Sequence, residues 1–129
     1  MEKKNGLCAI IAVNNLGFIG LNGGLPWKHN KKDLHHFMIM TLDKRLLVGH
    51  NTFITLPPLK NRTIVLDNRE EFALTDIDWC VGGKRTYEKY CHMFTELHIS
   101  HIDDNTIGDT TFPDLRNLNP ECKIFNYSF

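Results

Sequence analysis

Leu7-Cys8-Ala9-Ile10-Ile11-Ala12-Val13 is a continuous apolar run, stopped by Asn14-Asn15-Leu16-Gly17. A half-exposed strand would alternate, whereas an unbroken run of this length suits a strand covered on both faces, in the middle of a parallel sheet. Working outward, Arg45–Val48 ends at Gly49, Arg62–Leu66 follows, and Asp78–Val81 ends at Gly82-Gly83. These read as three more short strands. From Lys31 the period changes: Leu34, Phe37, Met38 and Leu42 fall at i, i+3, i+4 and i+8, the inward stripe of an amphipathic helix. Asn30 is placed to cap it, with Asp33 in the first turn. A short helix is expected from His50 to Leu56, closed by Pro57-Pro58. A longer one from Lys84 to about Phe94 would bury Tyr87, Tyr90, Cys91 and Phe94. Glu96–Ile102 alternates as a half-exposed strand should, and Cys122–Phe129 supplies a closing strand. Strands alternating with helices imply an α/β fold with a mainly parallel central sheet flanked by helices, one domain over residues 1–129.

The chain has 129 residues, and its 15 Lys+Arg balance 15 Asp+Glu. A net charge of zero argues against a general nucleic-acid binder. The four cysteines, Cys8, Cys80, Cys91 and Cys122, form no C-x-x-C pair, and free thiols in a reducing compartment are expected. Leu7–Val13 is too short to span a bilayer and lacks a small-residue cleavage site, so a cytoplasmic protein with no membrane partner is expected. His35 and His36 point in different directions on a helix, and His98 and His101 lie on opposite faces of a strand. With no spaced Cys/His set, no metal site is expected.

Ligands in sheets of this class collect beyond the carboxyl ends of the strands, where this sequence places its glycines. Gly82-Gly83 lets the backbone approach a diphosphate and Lys84-Arg85 add positive charge, although an ordinary strand-to-helix turn reads the same way. Gly49-His50-Asn51-Thr52 repeats the arrangement, and two such turns make a dinucleotide more plausible. Asp33 borders the apolar stripe. It either favours the helix dipole or faces a pocket, where a carboxylate can accept two parallel hydrogen bonds from an amidine-like heterocycle. Ile19–Trp27, rich in glycine and ending in Pro26-Trp27, is a water-excluding lid or a surface connection. Lys28–Lys32 is a solvated helix entrance or a guide for an anionic substrate.

An ordered set of motifs runs through most of the chain. It comprises Ile11-Ala12-Val13, Ile19-Gly20, Leu25-Pro26-Trp27, Lys32-Asp33-Leu34 with Phe37 and Thr41, Val48-Gly49 and Thr52-Phe53. Leu59 with Arg62, Val81-Gly82-Gly83, Tyr87-Glu88, His101-Ile102-Asp103, Gly108-Asp109-Thr110 and Phe112-Pro113 continue it. From Ala9 to Pro113 this set resembles dihydrofolate reductase, and the Lys31–Leu34 helix entrance is similar to bacteriophage versions, which would act in a host cytoplasm. The resemblance implies NADPH-dependent reduction of 7,8-dihydrofolate, with hydride passing to pterin C6 and a solvent-derived proton to N5. It assigns Asp33 to the pterin 2-amino group and N3, Trp27 to ordering water, Leu25 to closing the lid, and Ser100 to contact with Asp33. It places Leu34, Phe37, Leu56 and Leu59 around the substrate rings and Arg62 on the glutamate α-carboxylate. Cys8, Ile10, Val81 and Tyr87 would line the junction with nicotinamide. On the cofactor side it implies Ile10, Ile19, Gly49, His50, Asn51, Thr52, Leu66, Asp67 and Asn68. Gly82 and Gly83, as a cis peptide, continue that set with Lys84, Arg85 and Thr86.

Several positions depart from the family pattern. His50 replaces a cofactor-phosphate arginine, Lys84 a glycine, and Asp67-Asn68 stand where hydroxyl residues receive the adenosine 2′-phosphate. Asp67 would repel that phosphate, with Arg69, Arg85 or Lys84 in compensation, which leaves NADH open beside NADPH. The segment between Leu66 and Val81 is short, and the closing hairpin is expected to be incomplete, giving a monomer or a weak homo-oligomer. The alternatives are a related pterin or pyrimidine reductase, and a viral binding or structural module on the reductase fold.

Overall fold

The computed structural model describes residues 6–56, 59–67 and 76–129; Pro57-Pro58, Asn68 and Arg69 lie outside them. The strands are β1 (Leu7–Asn14), β2 (Phe18–Gly20), β3 (Arg45–Val48), β4 (Thr63–Leu66), β5 (Trp79–Cys80), β6 (Phe94–Ile102), β7 (Thr110–Thr111) and β8 (Lys123–Ser128). The helices are α1 (Lys31–Thr41), α2 (His50–Phe53) and α3 (Lys84–Tyr90). Six strands form one sheet in the order β4-β3-β5-β1-β6-β8. Every pairing in it is parallel. β1 is central, as its unbroken apolar run requires.

Because side chains alternate across a strand, β1 serves two cores at once. Leu7, Ala9 and Ile11 pack with Leu47, Cys80, Tyr87, Phe94 and Leu97 on the face that α3 covers. Cys8 and Ile10 pack with Leu46, Val48, Trp79 and Val81 on the other, closed by Phe37 and Met40 of α1. The four cysteines are thiols. Complete burial pushes the Cys80 thiol up to about 12, so it behaves as a small apolar side chain.

The inward face of α1 is not the expected stripe. Leu34 and Leu42 are 49% and 47% exposed, whereas Asp33 and Thr41 are buried. The helix is rotated so that Asp33, Phe37, Met40 and Thr41, at i, i+4, i+7 and i+8, meet the sheet. Asp33 therefore sits inside the buried face instead of at its border. The helix from Lys84, α3, also ends sooner than its apolar spacing suggests. A 3₁₀ turn at Cys91–Met93 follows α3, and Phe94 begins β6.

The Gly-rich stretch after β1 contains β2, which pairs antiparallel with β7. Two- and three-residue strands leave too little periodicity to be read. β8 pairs with β6 in parallel, from Glu96 opposite Lys123 to His101 opposite Ser128. It therefore forms no antiparallel hairpin with that neighbour. No helix among the described residues is long and apolar enough to cross a membrane.

Phe94 is wholly buried at the junction of the 3₁₀ turn and β6. Phe94→Ala should cost about 3–5 kcal/mol in urea unfolding, the usual range for deleting a core phenyl ring. A loss below about 1 kcal/mol would mean that this core collapses around the gap.

Candidate active site

Two adjoining cavities open at the carboxyl end of the sheet, of about 950 and 330 Å³. Ile11, Ala12, Leu25, Trp27, Lys28, Thr52, Leu56, Val81 and Tyr87 belong to both walls, so the cavities meet over the end of β1.

The smaller cavity has a mainly apolar wall, joined by Lys28, His29, Asn30, Thr52 and one acid. Ile10, Leu34, Phe37, Leu56, Leu59, Val81 and Tyr87 line it, and Asp33 is the only carboxylate among its described residues. Local sequence explains the position. The Asn30 side chain accepts a hydrogen bond from the Asp33 N–H at 2.9 Å, starting the helix so that Asp33 falls in its first turn. Asn30 also donates to the Phe129 carbonyl at 3.3 Å, tying the cap to the end of the chain segment carrying β8. Burial raises the Asp33 carboxyl above its ordinary range, while the Ser100 hydroxyl and the nearby His36 ring pull it back. Ser100 is almost wholly buried on β6 and lines neither cavity, so its hydroxyl serves Asp33 from behind.

The larger cavity runs along the strand ends. Ile19, Gly49, His50, Asn51, Asp67, Gly82, Gly83, Lys84, Arg85 and Thr86 line it, with Gly20, Gly23, Gly24 and Thr110 from the β2–β7 side. Here two backbones come very close: Gly49 N–H donates to the Gly82 carbonyl at 2.7 Å. A Cβ on Gly49 would lie 2.6 Å from Thr86 Oγ1, and Gly82 has a φ of +113° beside the Tyr87 ring. Side chains would fill this cradle. The Gly82-Gly83 peptide is cis. Tyr87, deep between the cavities, donates its hydroxyl to the Ile10 carbonyl at 2.6 Å and fixes α3 against β1. Burial holds that phenol well above its usual range, so it remains a donor.

Asp67 does not face the larger cavity as a bare anion. Its carboxylate accepts from Tyr90 Oη at 2.8 Å and from Lys89 Nζ at 3.2 Å. These contacts reduce the repulsion expected toward a phosphate. Lys84 also lines this wall, where its Nζ donates to Thr111 Oγ1 at 2.7 Å.

Besides Ser100, three expected residues line neither cavity. Cys8 shares the face of Ile10 and Ala12 but sits deeper, among Leu46, Val48 and Trp79, too far from the strand's carboxyl end. Leu66 is displaced by its neighbour Asp67, which supplies the wall at the end of β4. Arg62 stands beside the site: Nε donates to Thr41 Oγ1 at 3.2 Å, Nη1 to the Lys60 carbonyl at 2.6 Å, and Nη2 to the Met38 carbonyl. Ile10 lines the smaller cavity and not the larger one. Conversely, Ile11 and Ala12 line both cavities and were legible only as core; the period of two from Ile10 would have found Ala12.

A sequence model described as dihydrofolate reductase matches residues 6–81. The chain is 27% identical to a dihydrofolate reductase of Buchnera aphidicola, over 93% of this chain and 84% of that protein. It is 33% identical to a type 3 dihydrofolate reductase of Salmonella typhimurium, over 87% and 80%. Its fold is similar to that of dihydrofolate reductase from Enterococcus faecalis, solved as a complex with NADP(H) and a second ligand. That likeness has a TM-score of 0.76 at 25% identity and covers 90% of this chain and 82% of the other. The acid-floored slot, the glycine cradle beside it and these likenesses converge: this chain belongs to the dihydrofolate reductase family.

Proposed function

We propose that the chain reduces 7,8-dihydrofolate to 5,6,7,8-tetrahydrofolate with NADPH, and that Asp33 is its pterin anchor. The observation that carries this reading is Asp33, the one carboxylate among the described residues of the mainly apolar slot, beside a larger cradle. A pterin presents an amino group and a ring N–H side by side, and a carboxylate accepts both in parallel. Each such bond to a charged group contributes roughly 1.5–3 kcal/mol. The flat ring then lies against Phe37, Leu34 and Ile10, with Leu56 and Leu59 flanking the aminobenzoyl part.

The Asp33 charge also favours protonation of N5, because a negative group in a water-poor cavity stabilises a cation developing nearby. Trp27, 7% exposed in the wall shared by the cavities, positions water there, and Leu25 covers the junction. Arg62 spends three of its five N–H bonds on protein oxygens. One N–H remains on each terminal nitrogen, a pair suited to the glutamate α-carboxylate of the substrate.

The larger cavity fits a dinucleotide. The approach of Gly49 to Gly82 leaves room that a Cβ would occupy, Lys28, Lys84 and Arg85 supply positive charge, and Asp67 is held by Lys89 and Tyr90. Bound there, NADPH supplies the hydride. The chain's part is to seat the nicotinamide against Ile19 and Ala12 and to keep water away. A reductase-fold binding module without turnover is not favoured, since nothing in its task would call for an acid buried in a slot that adjoins the larger cavity.

Turnover is read as loss of NADPH absorbance with dihydrofolate present, and a folded chain inactive with both NADPH and NADH would refute the proposed reaction. Asp33→Asn should lower turnover by roughly 10²–10³-fold. The same change should raise stability near neutral pH. A carboxyl raised on folding leaves stability intact below its unfolded pKa, then costs stability as pH climbs toward the folded value. The stabilisation by Asn should therefore fade below about pH 4, and a variant less stable than wild type at pH 7 would contradict the burial argument. Arg62→Leu should raise KM for dihydrofolate about tenfold or more, in line with loss of a charged fork. An unchanged KM would remove Arg62 from substrate binding.

A further inference from the structure

One polar atom behind the slot has no use in the reaction so far. His36 lies one helical turn beyond Asp33 on α1, and its Nε2 is buried with no hydrogen-bond partner among the described residues. The ring is boxed by aromatics: its centroid is 4.3 Å from that of Tyr127 and 5.3 Å from that of Phe129. It lines neither cavity. An apolar side chain would fill that box without enclosing an unpaired nitrogen, so packing alone gives no reason for an imidazole there.

Resting on the pterin-anchor reading of Asp33, we propose that His36 is a positioning residue that acts through Asp33. By taking up a proton, the imidazole keeps the neighbouring carboxyl ionised, so the anchor still accepts the pterin's two donors in mildly acidic conditions. Residues three apart on a helix are neighbours on its surface, close enough for opposite charges to couple.

The surroundings are consistent with this coupling. Burial lowers His36 below the usual imidazole value and raises Asp33 above the usual carboxylate value, while each charge pulls the other back toward ionisation. The two titrations approach one another, and between them the pair carries a single proton. Among the described residues, the groups facing His36 are Asp33 on its own helix, His98 on β6, which opposes its charging, and the Tyr127 ring on β8, whose hydroxyl is bonded to His98. Tyr127 Oη and Glu96 Oε1 occupy the two ring nitrogens of His98, at 2.8 and 2.9 Å. His98 is thus already partnered, and the nearby Asp33 carboxylate is what remains to answer a charge on His36.

The test compares wild type with His36→Phe, which keeps a ring against Tyr127 and Phe129, and with His36→Asn, which keeps neither ring nor charge. The Asp33 side-chain carboxyl is followed by carbon NMR from acid to neutral pH in the unliganded protein. Both variants should titrate at Asp33 about half a pH unit higher, equivalent to a roughly threefold change in the ionisation constant. The variant-to-wild-type ratio of KM for dihydrofolate should be largest near pH 5 and decline as pH rises. An unmoved Asp33 titration in His36→Phe overturns the proposal, as does a shift seen only in His36→Asn, which would reflect lost packing. Failure of wild type to turn over dihydrofolate would sink the proposed reaction alone, because the carboxyl titration decides the coupling without it.

Discussion

A carboxylate on the floor of an apolar slot is expensive, and the arrangement around Asp33 follows from making it tolerable. Removing an ion from water is offset only if fixed partners replace the solvent. Two are in place, the Ser100 hydroxyl behind the slot and the His36 ring one turn along, while the Asn30 cap bonds the Asp33 N–H and sets where the helix starts. The cap matters most for geometry. A start one residue later would turn α1 by about 100° and carry Asp33 off the cavity floor.

The sheet supplies the other half of the site. β1 is buried on both faces, and Ile11 and Ala12 near its end form a wall shared by both cavities, with Ile10 facing the smaller one. Tyr87 bonds the Ile10 carbonyl, and the Gly49–Gly82 contact draws β3 and the turn after β5 together. The glycine side is set by close backbone approach and the acid side by a helix cap. Their juxtaposition puts a slot holding a carboxylate next to a cradle of about 950 Å³, the layout that hydride transfer between two bound molecules needs.

Much of this was legible from residues alone where one rule dominated. The unbroken apolar run placed β1 at the centre, Asn30 marked the start of α1, and glycines marked the strand ends that became cavity walls. The rule for open sheets had already pointed to their carboxyl ends, and the resemblance to dihydrofolate reductases singled out Asp33, which lies in the smaller cavity. Reading failed where tertiary context outweighed local pattern. Leu34 and Leu42 match a helical stripe yet stay half-exposed, because the helix turns Asp33 inward and presents Leu34 to the slot. Phe94 fits the spacing of α3 but belongs to β6, since a 3₁₀ turn intervenes. Cys8 lies on the correct face of β1 at the wrong depth, and depth along a strand leaves no mark in a period of two. The enclosure of His36 depends on β8, whose parallel pairing with β6 no local signal specifies.

The central claim is that an ionised Asp33 recognises paired N–H donors on a flat heterocycle. Calorimetric binding of a 2,4-diaminopyrimidine compound to wild type and Asp33→Asn at neutral pH tests it most directly, because no cofactor or turnover enters. The account predicts binding weaker by at least about 100-fold in the variant, the low end for losing two hydrogen bonds to a charged group. Equal affinity in the two proteins would contradict it.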